Sequence, residues 1–121
     1  MTIIDDAYNS NPSGSKAALE ALSLFEGYKI LVTPGMVELG SKQDELNREF
    51  GQGAADVCDY VVLVGEKQAV PIKAGLLDKN YDESKIYVAS DINEALSHVY
   101  AINSQGRKKI VLLENDLPDN Y

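Results

Sequence analysis

The sequence of 121 residues has little cysteine, histidine or tryptophan: one cysteine, one histidine and no tryptophan. A single cysteine, Cys58, excludes an internal disulfide bond, so we expect a reducing, cytoplasmic setting. We interpret Cys58 as a packed thiol rather than a nucleophile, because no basic residue stands beside it in the sequence. His98 falls beside the apolar face of a predicted helix, which favours a structural histidine over a base or a metal ligand.

Basic side chains are also few. Eleven Lys and Arg residues stand against nineteen Asp and Glu residues, which gives a formal net charge of −8. Nucleic acids and anionic membrane surfaces attract clustered Lys and Arg, so neither is expected as a partner. No apolar run approaches the roughly 18 residues that suggest a membrane-spanning helix, and no secretory leader is evident. The length is that of one domain.

Short apolar segments alternate with amphipathic helical patterns along the whole chain. The segments 60–64 and 110–113 are continuously apolar, which is typical of parallel strands that are covered on both faces. Further strands are predicted at 3–4, 29–33 and 86–88, and helices are predicted to begin near Ser15, Ser41, Gln68 and Asp91. This alternation predicts a three-layer, Rossmann-like α/β domain of five mostly parallel strands and four helices.

Ligands of open parallel sheets bind outside the carboxyl ends of the strands. We therefore expect function at the segments that follow the strands, namely 5–11, 33–40, 65–68, 89–91 and 114–121. In the first of these, Asn11 is a good N-cap and Pro12 suits the first helical position. The backbone N–H groups of that helix terminus would then be open to a phosphate, although a simple capped turn explains the same residues.

Two blocks in these segments resemble a known family. The sequence Asp-Asp-Ala-Tyr-Asn-Ser-Asn-Pro at 5–12 and the sequence Val-Thr-Pro-Gly-Met-Val-Glu-Leu-Gly at 32–40 are similar to motifs of the C-terminal domain of Mur ligases. Mur ligases are ATP-dependent enzymes that build the peptidoglycan stem peptide. The second block departs from the family pattern, because Pro34-Gly35 stands where the family has Gly-Asp.

The resemblance implies that residues 1–121 form one C-terminal lid domain, excised from a three-domain ligase. Such a ligase uses ATP and Mg²⁺ to form an acyl phosphate, and then adds D-alanyl-D-alanine or a similar amine to a UDP-N-acetylmuramoyl peptide. Its partners would be the central ATPase domain and the N-terminal UDP-substrate domain of the same protein. The sequence has no Gly-x-x-Gly-Lys-Ser/Thr loop. We therefore assign no catalytic or metal-binding residue here and expect the isolated chain to be inactive.

The resemblance also implies roles for particular residues. Those expected to face the nucleotide are Asp6, Tyr8, Asn9 and Asn11. Glu38 would hold the ammonium group of the incoming amine, although a solvated loop acid is an equal alternative. Many relatives have Lys-Gly-Ser near the last strand where this sequence continues into Glu114-Asn115-Asp116. Asn115 and Asp116 are therefore candidate substrate-binding residues, and the acceptor amine could differ from that of the family.

Two alternatives belong to other functional classes. The chain could act alone as a nucleotide- or peptide-binding module that has no catalytic partner. A receiver domain of a response regulator has the same alternation of strands and helices and also an acidic pair after the first strand. It requires an Asp after the third strand and a Lys after the fifth, whereas Gly65-Glu66 and Glu114-Asn115 occupy those places. The receiver interpretation is therefore disfavoured.

Overall fold

The computed structural model describes residues 1–6, 11–37 and 39–115, which alternate between strand and helix. The strands are β1 (Thr2–Asp6), β2 (Tyr28–Thr33), β3 (Tyr60–Val64), β4 (Ile86–Ala89) and β5 (Lys109–Glu114). The helices are α1 (Pro12–Ser23), α2 (Gln43–Val57), α3 (Glu66–Asp78) and α4 (Ile92–Ala101), with 3₁₀ turns at Gly40–Lys42 and Glu83–Lys85. Within these described ranges, no helix is long and apolar enough to cross a membrane.

The five strands form one parallel sheet in the order β1-β5-β2-β3-β4. Residues of α1, α2 and α3 share one apolar cluster with the sheet, and residues of α4 share a second cluster with it. Right-handed crossovers require this division, because the chain moves one way across the sheet through α1, α2 and α3 and returns through α4. The predicted α/β domain of three layers is confirmed, and β5 lies between β1 and β2.

The helix termini test three predictions from the sequence. Asn11 caps α1, since its Oδ1 accepts the Gly14 N–H at 2.7 Å, and Pro12 is the first helical residue. Asp91 caps α4 in the same way through the Glu94 N–H at 2.8 Å. The prediction that Ser41 caps α2 is wrong, because the chain makes a 3₁₀ turn over Gly40–Lys42 and α2 begins only at Gln43.

Helix α3 also begins earlier than its sequence pattern indicates. Gly65 has a φ of 94°, a conformation open to glycine, and this lets the chain turn directly from β3 into a helix at Glu66. Pro71 therefore lies inside α3 rather than in its first turn.

Helices α2 and α3 pack through two glycines. A Cβ atom on Gly51 would collide with the carbonyl oxygen of Ile72, and one on Gly75 would collide with the carbonyl oxygen of Arg48. The absence of both side chains lets the two backbones touch. The two helices are thereby held together as one unit beside the sheet.

The thiol of Cys58 is buried, with 6% of the residue exposed, as expected for a packed thiol. Burial, helped by nearby Asp59, raises the pKa of Cys58 to about 12. The thiolate is the reactive form, so we expect Cys58 in the folded protein to resist Ellman's reagent at pH 8 and to react fully in urea. Rapid stoichiometric reaction without denaturant would contradict this expectation.

Candidate functional site

Three strand ends meet at one edge of the sheet. Because β5 lies between β1 and β2, the terminal residues Asp6, Glu114 and Thr33 end adjacent strands. Asp6 and Glu114 are directly opposite each other in the parallel register. Ser15, in the first turns of α1, is 1% exposed and contacts the side chain of Glu114.

Asp6 and Glu114 form a carboxyl pair. The Glu114 side chain is completely buried. This burial, together with a hydrogen bond to Asp6 and repulsion from its charge, raises the pKa of Glu114 to about 9. Glu114 Oε2 meets no donor in the described part of the chain, which fits a carboxyl group that carries the proton itself and offers it to Asp6. At neutral pH, therefore, the Glu114 carboxyl group keeps its proton.

A row of buried side chains, Ser15, Asn115 and Thr33, continues from this pair, and we call it the buried relay. The Ser15 hydroxyl lies 3.3 Å from Glu114 Oε1 and donates to Asn115 Oδ1 at 2.9 Å. Asn115 Nδ2 donates to Thr33 Oγ1 at 2.8 Å, and the same oxygen accepts the Gly35 N–H at 3.0 Å. The relay therefore joins α1, the residue after β5, and β2.

The loop after β2 is held by one amide on α2. Asn47, which is 2% exposed, accepts the Met36 N–H at Oδ1 (2.8 Å) and donates through Nδ2 to the Met36 carbonyl (2.8 Å). The same Nδ2 donates to the Gln43 carbonyl at 3.0 Å. A Cβ atom on Gly35, whose φ is 83°, would come within 3.1 Å of Asn47 Oδ1. The start of the second motif is therefore fixed in place.

A mainly apolar cleft of about 300 Å³ lies between α1 and α2, beside the relay. It shares Ser15 with the relay and Met36 with the loop after β2. Its lining residues are Pro12, Ser15, Lys16, Leu19, Met36, Leu46, Glu49, Phe50 and Gly53.

Residues 1–114 match the family model described as the Mur ligase, glutamate ligase domain. The chain belongs to the Mur ligase family. This Mur ligase domain is 30% identical over 109 residues to the UDP-N-acetylmuramoyl-tripeptide–D-alanyl-D-alanine ligase of Bacillus subtilis, covering 88% of the chain and 23% of that protein. It is 27% identical over 114 residues to the Escherichia coli ligase of the same name, covering 93% of the chain and 25% of that protein.

Solved structures agree with this assignment. The Mur ligase domain superposes on MurF from Acinetobacter baumannii with a TM-score of 0.75 and 26% identity, covering 95% of the chain and 25% of MurF. It superposes on MurF from Thermotoga maritima, solved with ADP, with a TM-score of 0.72 and 30% identity, covering 94% of the chain and 24% of MurF. The chain thus spans about a quarter of the length of the relatives it matches.

Of the predicted nucleotide-facing residues, the structure describes Asp6 and Asn11, whereas Tyr8 and Asn9 lie outside the described residues. Asn11 uses its Oδ1 to cap α1, and the cap does not use its amide nitrogen. The same cap takes up the Gly14 N–H. The Mur ligase domain therefore has fewer backbone N–H groups open to an anion at this helix terminus than the sequence predicts.

Of the predicted substrate-binding residues, Glu38 and Asp116 lie outside the described residues. Asn115 is completely buried, and both atoms of its amide are hydrogen-bonded within the Mur ligase domain. This arrangement does not favour the predicted direct contact with a substrate, because the amide would have to give up a buried partner.

The sequence analysis gave no role to four residues of the site, which are Ser15, Thr33, Asn47 and Glu114, although two of the segments expected at the ligand edge begin with Thr33 and Glu114. Glu114 had a usable signal, because it is an acid that directly ends a continuously apolar strand at the ligand edge. Ser15 and Asn47 have no signal of their own, and Thr33 has only its place in the second motif. A serine in a first helical turn, a threonine at a strand end and an asparagine in a helix are common in any sequence.

His98 lies in a second polar cluster, between α4 and strands β3 and β4. Its ring stacks on Tyr87, with centroids 3.7 Å apart and planes within 6°, and its Nε2 is 2.7 Å from the Tyr60 hydroxyl. Burial lowers the pKa of His98 against the opposing effect of Glu94. With both ring face and Nε2 engaged, His98 packs as a structural histidine, as its sequence position indicates.

Proposed function

We propose that this chain is the C-terminal lid domain of a ligase that uses ATP to join D-alanyl-D-alanine, or a similar amine, to a UDP-N-acetylmuramoyl peptide. Membership of the Mur ligase family and coverage of about a quarter of each relative support this proposal. The other parts of the ligase would be an N-terminal UDP-substrate domain and a central ATPase domain on the same polypeptide. The enzyme would act in the cytoplasm, which suits a single buried thiol.

In this proposal the corner after β1 faces the nucleotide. The residues concerned are Asp6, Tyr8, Asn9 and Asn11. The amide nitrogen of Asn11, which the helix cap does not use, would donate to the nucleotide. Among the described residues no group of three or more His, Cys, Asp or Glu is placed to hold a metal. In the proposed ligase, ATP and Mg²⁺ would be bound mainly by the central domain, where ATP supplies the phosphoryl group that activates the carboxylate.

The incoming amine would be held at the same edge. Glu38 follows the loop that Asn47 holds, and its carboxylate would accept hydrogen bonds from the ammonium group. Asp116 follows Asn115 and would contribute a second acceptor. Closing this edge over the central domain would exclude water from the acyl phosphate.

One observation carries the proposal. The two family motifs, which are distant in sequence, are tied to one edge of the sheet by the Asp6–Glu114 pair and the buried relay. A receiver domain would not need this arrangement, and β3 ends before Gly65 without a phosphate acceptor.

The proposal is tested on the complete gene-encoded polypeptide that contains this chain. We expect it to form the amide from a UDP-N-acetylmuramoyl tripeptide and D-alanyl-D-alanine only when ATP is present, whereas the isolated 121-residue chain hydrolyses no ATP. In NMR titrations of the complete protein with a non-hydrolysable ATP analogue, the amide signals of Asp6 and Asn11 should shift. Unmoved corner signals, or ligase activity of the isolated chain, would refute the lid assignment.

Substitutions of Asn11 separate nucleotide binding from helix capping. Asn11→Ser keeps a capping oxygen and removes the amide nitrogen, so we expect nucleotide affinity to fall about tenfold, or about 1.4 kcal/mol, with unchanged stability. Asn11→Ala should lose the same affinity and also about 1 kcal/mol of stability, because it removes the cap. Calorimetric titration and urea denaturation measure the two effects. Full affinity in Asn11→Ser would show that the residue acts as a cap alone.

A further inference from the structure

Asn115 sits where three elements of the ligand edge meet, and nothing in the proposed chemistry uses its side chain. We propose that Asn115 is a positioning residue that couples the nucleotide corner to the loop after β2, so that nucleotide and acceptor amine strengthen each other's binding. This inference rests on the proposed function. It adds a physical link between the two halves of the site.

The backbone at Asn115 is specialised for this place. Its φ of 69° lies in the left-handed region, which asparagine and glycine enter more readily than other residues. The turn comes directly after β5, the strand between β1 and β2. An asparagine here combines the required backbone conformation with an amide that lies inside the protein, where it is 0% exposed.

Each end of the amide is bonded to a different element. Oδ1 accepts the Ser15 hydroxyl of α1 at 2.9 Å, and Nδ2 donates to Thr33 Oγ1 of β2 at 2.8 Å. A buried donor or acceptor that loses its partner is penalised, because no water replaces the lost bond. A displacement of the first turns of α1 is therefore resisted by the end of β2, and the reverse also holds.

Both ends of the relay continue into the predicted ligand segments. On one side, the Ser15 N–H donates to the carbonyl oxygen of Asn11 at 3.0 Å, so Ser15 moves with the nucleotide corner. On the other side, Thr33 Oγ1 accepts the Gly35 N–H at 3.0 Å, and Met36 next to it is clamped by Asn47. A continuous row of polar contacts therefore runs from Asn11 to the residues just before Glu38.

The sheet alone does not provide this link. The β1–β5 ladder ends at the pair Asp6–Glu114, and the β2–β5 ladder ends at Val32–Leu113. The polar contacts lie at and beyond these last pairs, where the chain leaves the strands. Asn115 thus fixes the relative position of the two segments that would touch ligands.

The experiment measures the coupling between two ligands on the complete gene-encoded ligase. The dissociation constant of a non-hydrolysable ATP analogue is determined with and without saturating D-alanyl-D-alanine, and the reverse titration checks reciprocity. We expect each ligand to tighten the binding of the other about tenfold in the unaltered protein. Asn115→Gly keeps the left-handed backbone and loses the amide. In this variant we expect each ligand to change the dissociation constant of the other by a factor below about two.

Matched variants distinguish loss of coupling between the two ligands from a general loss of rigidity at the ligand edge. Thr33→Val removes the accepting oxygen at nearly constant volume and should lose the coupling, whereas Thr33→Ser keeps the oxygen and should retain it. Asn47→Ala loosens only the loop after β2, so it should weaken binding of the amine without weakening binding of the nucleotide alone. As a spectroscopic signature, the ATP analogue should shift the Gly35 and Met36 amide signals in the unaltered protein but not in Asn115→Gly.

The outcomes distinguish this inference from the proposed function. If both ligands bind and ligation proceeds, but coupling in Asn115→Gly or Thr33→Val equals that of the unaltered protein, the positioning role is refuted and the ligase function stands. If Thr33→Ser loses coupling as completely as Thr33→Val, the hydroxyl oxygen is not the link and the inference also fails. If the unaltered protein binds no nucleotide and ligates nothing, the proposed function falls and the coupling falls with it.

Discussion

Gly75→Ala is expected to lower the free energy of unfolding by about 3 kcal/mol, the upper part of the usual range for overpacking. The new methyl group would collide with the Arg48 carbonyl oxygen, which is backbone in the middle of α2 and cannot rotate away. The helices would have to separate, and the apolar contacts of both with the sheet would loosen. Urea denaturation followed by circular dichroism measures the loss. Gly51→Ala should behave alike, because its methyl group meets the Ile72 carbonyl oxygen.

Gly53→Ala is the matched control for Gly51→Ala, because both residues lie in α2. Its methyl group would lie 3.4 Å from Leu19 Cδ1, an ordinary van der Waals contact. Alanine restricts the unfolded chain and favours a helix, so we expect stability to rise by up to about 1 kcal/mol. Loss of stability in Gly53→Ala comparable to that in Gly51→Ala would show that glycine itself, rather than close helix contact, matters in α2.

Glu114→Gln is expected to flatten the pH dependence of stability. The pKa of Glu114 is raised to about 9 in the folded protein, whereas a glutamate in the unfolded chain titrates near pH 4.3. Between these values the folded state holds a proton that the unfolded state has released. Stability is therefore highest at the acid end of this window and falls as the pH rises through it, by at most about 1.4 kcal/mol per pH unit. Glutamine at this position does not titrate and has nearly the same shape as protonated glutamate.

The measurement is urea denaturation at pH 5.5, 7 and 8.5 for the unaltered protein and for Glu114→Gln. The gain from glutamine should grow with pH and be largest at pH 8.5. Asp6→Asn should flatten the dependence only in part, because burial is the larger cause of the raised pKa of Glu114 and persists without its acidic neighbour. An identical pH slope in the unaltered protein and Glu114→Gln would rule out a buried, proton-holding carboxyl group.

The sequence predicts the fold well, because most of the information needed is local. The apolar runs of β3 and β5 and the caps Asn11 and Asp91 are visible within a few residues, and all four occur as expected. The strand order is not predictable in this way, since hydrophobic periodicity says which residues are buried but not which strands pair. Ser41 is not the cap of α2, because it lies inside a 3₁₀ turn over Gly40–Lys42 that hydrophobic periodicity does not indicate.

The location of the candidate site could be predicted from the sequence, whereas most contacts between its side chains could not. The rule that ligands bind beyond the carboxyl ends of parallel strands places both motifs at one edge, and the sheet brings Asp6 and Thr33 there. The position of Glu114 at this edge was also predictable, but its burial was not, since an acid after an apolar strand is normally solvated. Its burial depends on the register with β1 and on the approach of α1, and both are tertiary features.

The position of β5 bears on how the protein is made. The strand that fills the gap between β1 and β2 is the last of the five described strands to be translated, so a nascent chain cannot close this sheet while β5 is still inside the ribosome. Until then β1 has no hydrogen-bonding neighbour, and β2 exposes an apolar edge to which chaperones or other nascent chains can bind. Folding of the described domain must therefore finish after synthesis of β5, and slow release of that strand would prolong the aggregation-prone stage.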